Sequence, residues 1–226
     1  MFTDVFRNLD WSILTGAVLS VIPALLCITI HELSHGYTAY RLGDETAKRM
    51  GRLTLNPIKH IDLLGLIMMV IFRFGWAKPV PVDMRNFKKP RAGMAITAVA
   101  GPASNIILGA VILFIYGLVF VWLGGLNPQG SNSIILEMIY RTAYLSIALA
   151  IFNLIPIPPL DGSKVLFSFL SERVYYKLMR YEWLGMILLI VVLNTNVFRV
   201  TIGKLTAALF DKMLVIIMRA AAIFVN

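Results

Sequence analysis

WSILTGAVLSVIPALLCITIHELSH, Trp11–His35, is the stretch that decides the architecture of this chain. No charged residue occurs between Trp11 and Ile30, and a helix over those positions rises roughly 30 Å, the thickness of a hydrocarbon core. His31-Glu32-Leu33-Ser34-His35 follows without a break, so the same helix is expected to carry it. One turn separates His31 from His35 on one helical face, with about 6 Å between Cβ atoms, so both rings can reach one cation. Glu32 lies beside them, where a carboxylate can take a proton from water activated by that cation. An ionisable side chain costs about 2.5–3.5 kcal/mol at the middle of a membrane helix and less near the interface. A glutamate between two histidines at such a place therefore implies a bound metal.

Composition sets the class. The chain has 226 residues, 58% of them hydrophobic and 15% charged, with a mean hydropathy of +0.78, whereas soluble domains are about 45–50% apolar. An all-α polytopic membrane protein is expected, with about four to six membrane helices, and a soluble enzyme carrying the same motif is excluded. The net charge of +9 does not point to nucleic acid, because the basic residues cluster in loops that flank apolar runs, as lipid-facing topology demands. A single cysteine, Cys27, excludes an internal disulfide. Asp4, Arg7 and Asp10 give the start of the chain none of the basic character of a cleavable signal, so the first helix is expected to be retained. The length leaves no room for an inserted soluble domain, which predicts a single membrane-embedded domain over residues 1–226.

Loop charge orients the spans. Arg41, Lys48, Arg49, Arg52 and Lys59 outnumber Asp44 and Glu45 in the loop after the first helix, so this loop is expected in the cytoplasm and the N-terminus outside. The apolar run Ile61–Phe72 is short for a span and basic on its far side as well, which predicts a re-entrant or short packed segment. Ala92–Leu123 reads as a full span, Gly124–Ser133 as an uncharged external turn, and Ile134–Ile155 as the return. Lys164–Glu182 is amphipathic and net basic, and Trp183–Phe198 is marginal in length. The tail from Lys204 holds Asp211, Lys212 and Arg219 within apolar sequence, so it either spans poorly or lies along the interface. His31 and His35 thus fall at the cytoplasmic end of their helix.

A catalytic zinc keeps three protein ligands and one open position. His60 lies in a basic loop and reads as solvated. The best third candidate is Asp161, in Asn153-Leu154-Ile155-Pro156-Ile157-Pro158-Pro159-Leu160-Asp161-Gly162, where prolines break the helix at the point where the span should exit. The competing reading is an ordinary Asp-Gly turn. The orientation argument, however, delivers Asp161 to the same membrane face as the histidines.

His-Glu-Leu-Ser-His on an early membrane helix, Gly101-Pro102-Ala103-Ser104-Asn105 in a middle one and the Asn153–Gly162 run in a later one resemble the site-2 protease family of intramembrane zinc metalloproteases. The likeness covers about residues 11–170 and is nearest to small bacterial members that lack an inserted PDZ domain. It implies His31, His35 and Asp161 as ligands of one Zn2+ and Glu32 as the base, with Asn105 and Asn153 lining the cleft. The implied activity is cleavage of peptide bonds within or next to transmembrane segments of single-span membrane proteins. On this reading 11–170 is the catalytic core of a membrane peptidase domain and 171–226 its C-terminal helices, seated in the cell membrane.

Within that frame Asn153 is an oxyanion or substrate-backbone donor, or else a helix-end cap. Asn105 either serves substrate access or follows Gly101-Pro102 as tight packing. Cys27, one turn before His31, reads as a small apolar filler rather than a fourth ligand. Trp76-Ala77-Lys78-Pro79-Val80-Pro81-Val82 is expected to be extended, because residues before proline avoid the helix. A small β element is predicted there, whose Val80 and Val82 pair with unwound substrate. The other readings are a metal transporter, for which Glu32 has no need to exist and no track of further carboxylates is seen, and a silent relative, against which the intact motif argues.

Overall fold

A computed structural model of the chain describes residues 11–65, 77–123 and 131–225. Within them the chain forms α1 (Trp11–Arg41), a single turn α2 (Thr46–Arg49), two long helices α3 (Pro90–Trp122) and α4 (Ser131–Asn153), and then α5 (Asp161–Ser168), α6 (Glu172–Arg180), α7 (Glu182–Leu193) and α8 (Asn196–Val225). Among the described residues, three helices are long and apolar enough to cross a membrane: Leu19–Arg41 within α1, α3, and Ile134–Asn153 within α4. A fourth span is reached if α7 and α8, bent by 86° at their junction, count as one, which is the low edge of the four to six expected.

Helix α3 is the scaffold. Its buried residues include Gly93, Thr97, Gly101, Asn105, Gly109, Leu113 and Gly117, one every fourth position, so a stripe of mostly small side chains winds slowly around the helix and meets a different neighbour at each stage. Such a stripe lets backbones approach closely where lipid supplies no hydrophobic drive between helices. A β-carbon at Gly109 would stand 2.7 Å from Ile147 of α4, and one at Gly117 would stand 2.7 Å from Ala221 of α8. The same stripe meets α1 at Gly101. Leu113, Ala143, Ile147, Ile151 and Phe210 form the buried apolar cluster where α3, α4 and α8 join. The Phe210 ring also packs edge-on against Tyr140 and Tyr144, with centroids 5.0 and 5.3 Å away. The C-terminal tail is a long helix packed on α3 and α4.

The predicted β element is not found among the described residues. Residues 77–83 form no helix, but their one bridge is Ile61 with Ala77, and no strand ladder forms. Pro79 and Pro81 remove two of the amides that a ladder would need. The re-entrant segment expected over Ile61–Phe72 lies mostly outside the described residues, as does most of the external turn at 124–133.

Candidate metal centre

The His-Glu-Leu-Ser-His motif sits in the last third of α1, as the unbroken run from Trp11 leads one to expect, and His31 and His35 face α3 with 5% and 9% of their surface exposed. The rings stand edge to face, with centroids 4.5 Å apart. Room for them comes from Gly101: a β-carbon there would collide with the His35 ring and come within 2.7 Å of His31 Cε1. His35 Nδ1 is 2.7 Å from the Thr97 carbonyl, one turn earlier on α3.

Asp161 reaches the same point from across the bundle. Helix α4 ends at Asn153, the proline loop runs to Leu160, and Asp161 opens α5, where a carboxylate suits the helix N-terminus. Gly162 allows this turn to close, because any side chain there would strike the Leu154 carbonyl and stand 2.7 Å from the Ile155 oxygen. Asp161 Oδ2 lies 3.1 Å from His31 Nε2 and 3.0 Å from His35 Nε2, and the two nitrogens are 3.0 Å apart. Its other oxygen takes a hydrogen bond from Lys164 at 3.3 Å.

The profile of peptidase family M50 matches residues 123–193, the stretch that contains the proline loop. YwhC of Bacillus subtilis (strain 168), a protein with a zinc-metalloprotease name, is 39% identical over 206 residues, or 86% of this chain and 93% of that protein. The chain belongs to peptidase family M50. A second relative, Rip2 of Mycolicibacterium smegmatis, also carries a zinc-metalloprotease name and is 29% identical over 197 residues, covering 85% of this chain and 72% of its own length. No solved structure matches significantly. This M50 chain is a metalloprotease, and its cofactor is zinc.

The donor set fits that ion. A backbone carbonyl only accepts, so the Thr97 contact places the His35 proton on Nδ1 and leaves a lone pair on Nε2. Two imidazole nitrogens and a carboxylate oxygen, separated by 3.0–3.1 Å, converge on one point, where a cation would take a lone pair from each with His31 in the same tautomer as His35. Tetrahedral zinc with bonds of about 2.0–2.1 Å spaces its ligands roughly 3.3–3.4 Å apart, so the three atoms need to part by only a few tenths of an ångström.

Beside this centre of the M50 chain lies a cavity of about 480 Å³, lined by apolar residues of α1, α4 and α7 and by His31, Glu32, His60, Asp62 and Asn153. Glu32 is held by the Val80 amide, which donates to its Oε2 at 2.8 Å. Asn153 lies on the cavity wall and spends one amide hydrogen on Leu149 O at 3.0 Å. Asn105 is fully buried between α3 and α4 and is not on that wall. Its backbone oxygen accepts from Ser146, 2.7 Å away, and its side-chain amide has no partner among the described residues. Val82 lines a separate open groove with Met84 and Tyr176. Cys27 is buried toward the Thr142 carbonyl of α4, 3.6 Å away, and does not join the ligand cluster.

The reading of His60 as solvated is corrected. It is 2% exposed, its Nε2 is 2.9 Å from Thr54 O, and its own carbonyl accepts from Lys78 N at 3.0 Å. The pairing of residues 60–61 with 77–78 buries it, a long-range contact that the local basic composition does not announce. Gly101, Thr97 and Lys164 were also not singled out as site residues. Only the helical spacing of Gly101 from Thr97 and Asn105 signals that the first two belong to a packed face.

Proposed function

We propose that this membrane metalloprotease hydrolyses peptide bonds within or next to the transmembrane segments of single-span membrane proteins, a step of regulated intramembrane proteolysis. In this reading His31, His35 and Asp161 hold one zinc ion and Glu32 is the base. The observation that carries it is the convergence of one atom each from His31, His35 and Asp161 beside a largely apolar cavity that His31 and Glu32 line and two membrane-length helices bound.

Bound there, zinc supplies Lewis acidity toward water and toward the scissile carbonyl near neutral pH. Glu32 removes a proton from the attacking water and returns it to the leaving amine. The Val80 amide occupies its Oε2, which leaves Oε1 for the transfer. Asn153, with one amide hydrogen on Leu149 O, has a second to offer an oxygen that develops negative charge. His35 is oriented by the Thr97 carbonyl, and Asp161 by Lys164. The apolar walls favour apolar substrate residues and keep bulk water out. A substrate helix must unwind to reach the site, since its amides are otherwise internally bonded. Along residues 77–83 the Val80 amide is taken by Glu32, whereas that of Val82 has no partner among the described residues and is the one we assign to pairing with such a strand. The basic stretches between the first two spans, on either side of Ile61–Phe72, support a site toward the cytoplasmic face of the cell membrane.

The test is cleavage of single-span substrates by purified protein in liposomes, with wild type beside Glu32→Gln and zinc measured in both. Cleavage by wild type, together with a zinc-loaded but inactive Glu32→Gln, is expected. Equal cleavage by both would remove Glu32 as base.

A further inference from the structure

Residues 78–82, Lys-Pro-Val-Pro-Val, run past Glu32 without a sheet to hold them. Pro79 and Pro81 have no N–H, so Val80 carries the single amide of the three, and that amide is on Glu32 Oε2 at 2.8 Å. The Val80 side chain is 7% exposed and lies against α1 one turn beyond Glu32, where a β-carbon on Gly36 would stand 2.9 Å from its Cγ1.

What fixes this peptide is a buried cation. Arg52 is 6% exposed, and its Nη2 donates to Lys78 O at 2.8 Å and to Pro79 O at 3.3 Å. The Pro79 oxygen and the Val80 hydrogen belong to one trans peptide unit and point in opposite directions. Arg52 thus grips the unit by its oxygen while Glu32 grips it by its hydrogen. A cation on a carbonyl polarises the amide behind it and makes its N–H a better donor. Further along the segment, Asp44 accepts from the Asp83 amide at 2.7 Å and from Asn86 Nδ2 at 2.8 Å, so both ends are tied to the loop that follows α1.

We propose that Arg52 is a positioning residue for Glu32: it holds the Pro79–Val80 peptide plane so that its hydrogen stays on the Glu32 carboxylate and keeps that side chain in one orientation beside the ligand cluster. The proposal rests on the reading of Glu32 as the base.

The experiment compares full-length wild type, Arg52→Met, Arg52→Lys, Val80→Pro and the Arg52→Met/Val80→Pro double variant in liposomes. It measures zinc content, kcat and KM on a single-span substrate, and hydrogen exchange of the 79–81 segment, whose one exchangeable amide is Val80. Loss of one hydrogen bond to a charged group predicts a fall in kcat of about 10–100-fold in Arg52→Met, with zinc retained and KM within about threefold. Val80 exchange in that variant is expected to accelerate by about tenfold or more. Val80→Pro should lose a similar factor with Arg52 intact, the double variant should be no slower than Val80→Pro alone, and Arg52→Lys, which keeps a donor for both carbonyls, should recover most of the rate. Wild-type kcat in Val80→Pro, multiplying losses in the double variant, or unchanged Val80 exchange in Arg52→Met would each overturn the proposal. Failure of the base assignment itself shows separately, as Glu32→Gln cleaving at the wild-type rate, and the exchange comparison judges the Arg52 contact without any turnover.

Discussion

His35 and Thr97 are joined by one hydrogen bond, 2.7 Å from the ring Nδ1 to the backbone oxygen, and that bond determines which nitrogen faces Asp161. Because the acceptor is main chain, no side-chain substitution at position 97 removes it. The tautomer of His35 is thus set by the course of α3.

Gly101 is where that course is most exposed to test. Gly101→Ala places a methyl group on the His35 ring, and the ring must leave its position or the helices must part. Zinc affinity is expected to fall by about 10–100-fold, the range seen when the shell behind a ligand is disturbed. Metal titration of the purified variant checks this, with Gly203→Ala as a control where a β-carbon meets nothing within 4 Å.

Zinc should also stabilise the fold, because its proposed ligands join α1 to the turn that opens α5. At free metal one hundredfold above the dissociation constant the gain is about 2.7 kcal/mol. A chelator is therefore expected to lower the thermal midpoint of wild type and of Glu32→Gln alike, and to leave the midpoint of His35→Ala unmoved. A wild type indifferent to chelation would speak against a ligand set shared between the two elements.

Asp44 gives a pH-dependent prediction away from the metal centre. It is fully buried and accepts from Thr46 N at 3.0 Å and Thr46 Oγ1 at 2.5 Å, besides its bonds to residues 83 and 86. Burial pushes its carboxyl up, but the hydrogen bonds from Thr46, Asn86 and the Asp83 amide outweigh this and hold it below the ordinary value. A folded pKa below the unfolded one contributes stability that is complete above about pH 4 and is lost as pH falls through the folded value. Asp44→Asn turns one acceptor into a donor facing other donors and is expected to cost about 1–3 kcal/mol at neutral pH. Thermal unfolding in detergent at pH 7 and pH 3.5 should show that difference narrowing at the lower pH.

Glu137 and Arg141, one turn apart on α4, form an ion pair with nearly half of each side chain exposed. Their separation by Glu137→Gln should change stability by no more than about 0.5 kcal/mol. A larger loss would mean that this end of α4 is packed against something other than solvent or lipid headgroups.

The spans that hold the site were legible because each is a long apolar run, and the histidine pair because a helix fixes the spacing of residues four apart. Asp161 was reachable by charge bookkeeping across the loops, and the structure brings it within 3.1 Å of both rings. The segment at 77–83 was only half legible. Its prolines declare an extended backbone, but what that backbone leans on is a glutamate nearly fifty residues earlier and an arginine at position 52, and neither contact leaves a local pattern. His60 was misjudged for the same reason: basic neighbours mark a loop as wet, while the backbone pairing that buries its ring is made with residue 78. Asn105 was placed on the cleft by its motif, yet the fourfold spacing that puts Gly101 against the rings turns Asn105 into the seam with α4.

The fourfold stripe on α3 has a consequence for how this protein can change. Gly101 registers α1, Gly109 registers α4 and Gly117 registers α8, so three helices each take a mark of their height from one ruler, whatever they also owe to one another. Lengthening or trimming the connecting loops leaves those marks where they are. Insertion of one residue between Gly101 and Gly109 turns both later marks by about 100° and would move them off α4 and α8 while the histidine pair stayed seated. Sequence drift in this lineage should therefore be generous in loop length and intolerant of any insertion between positions 101 and 117.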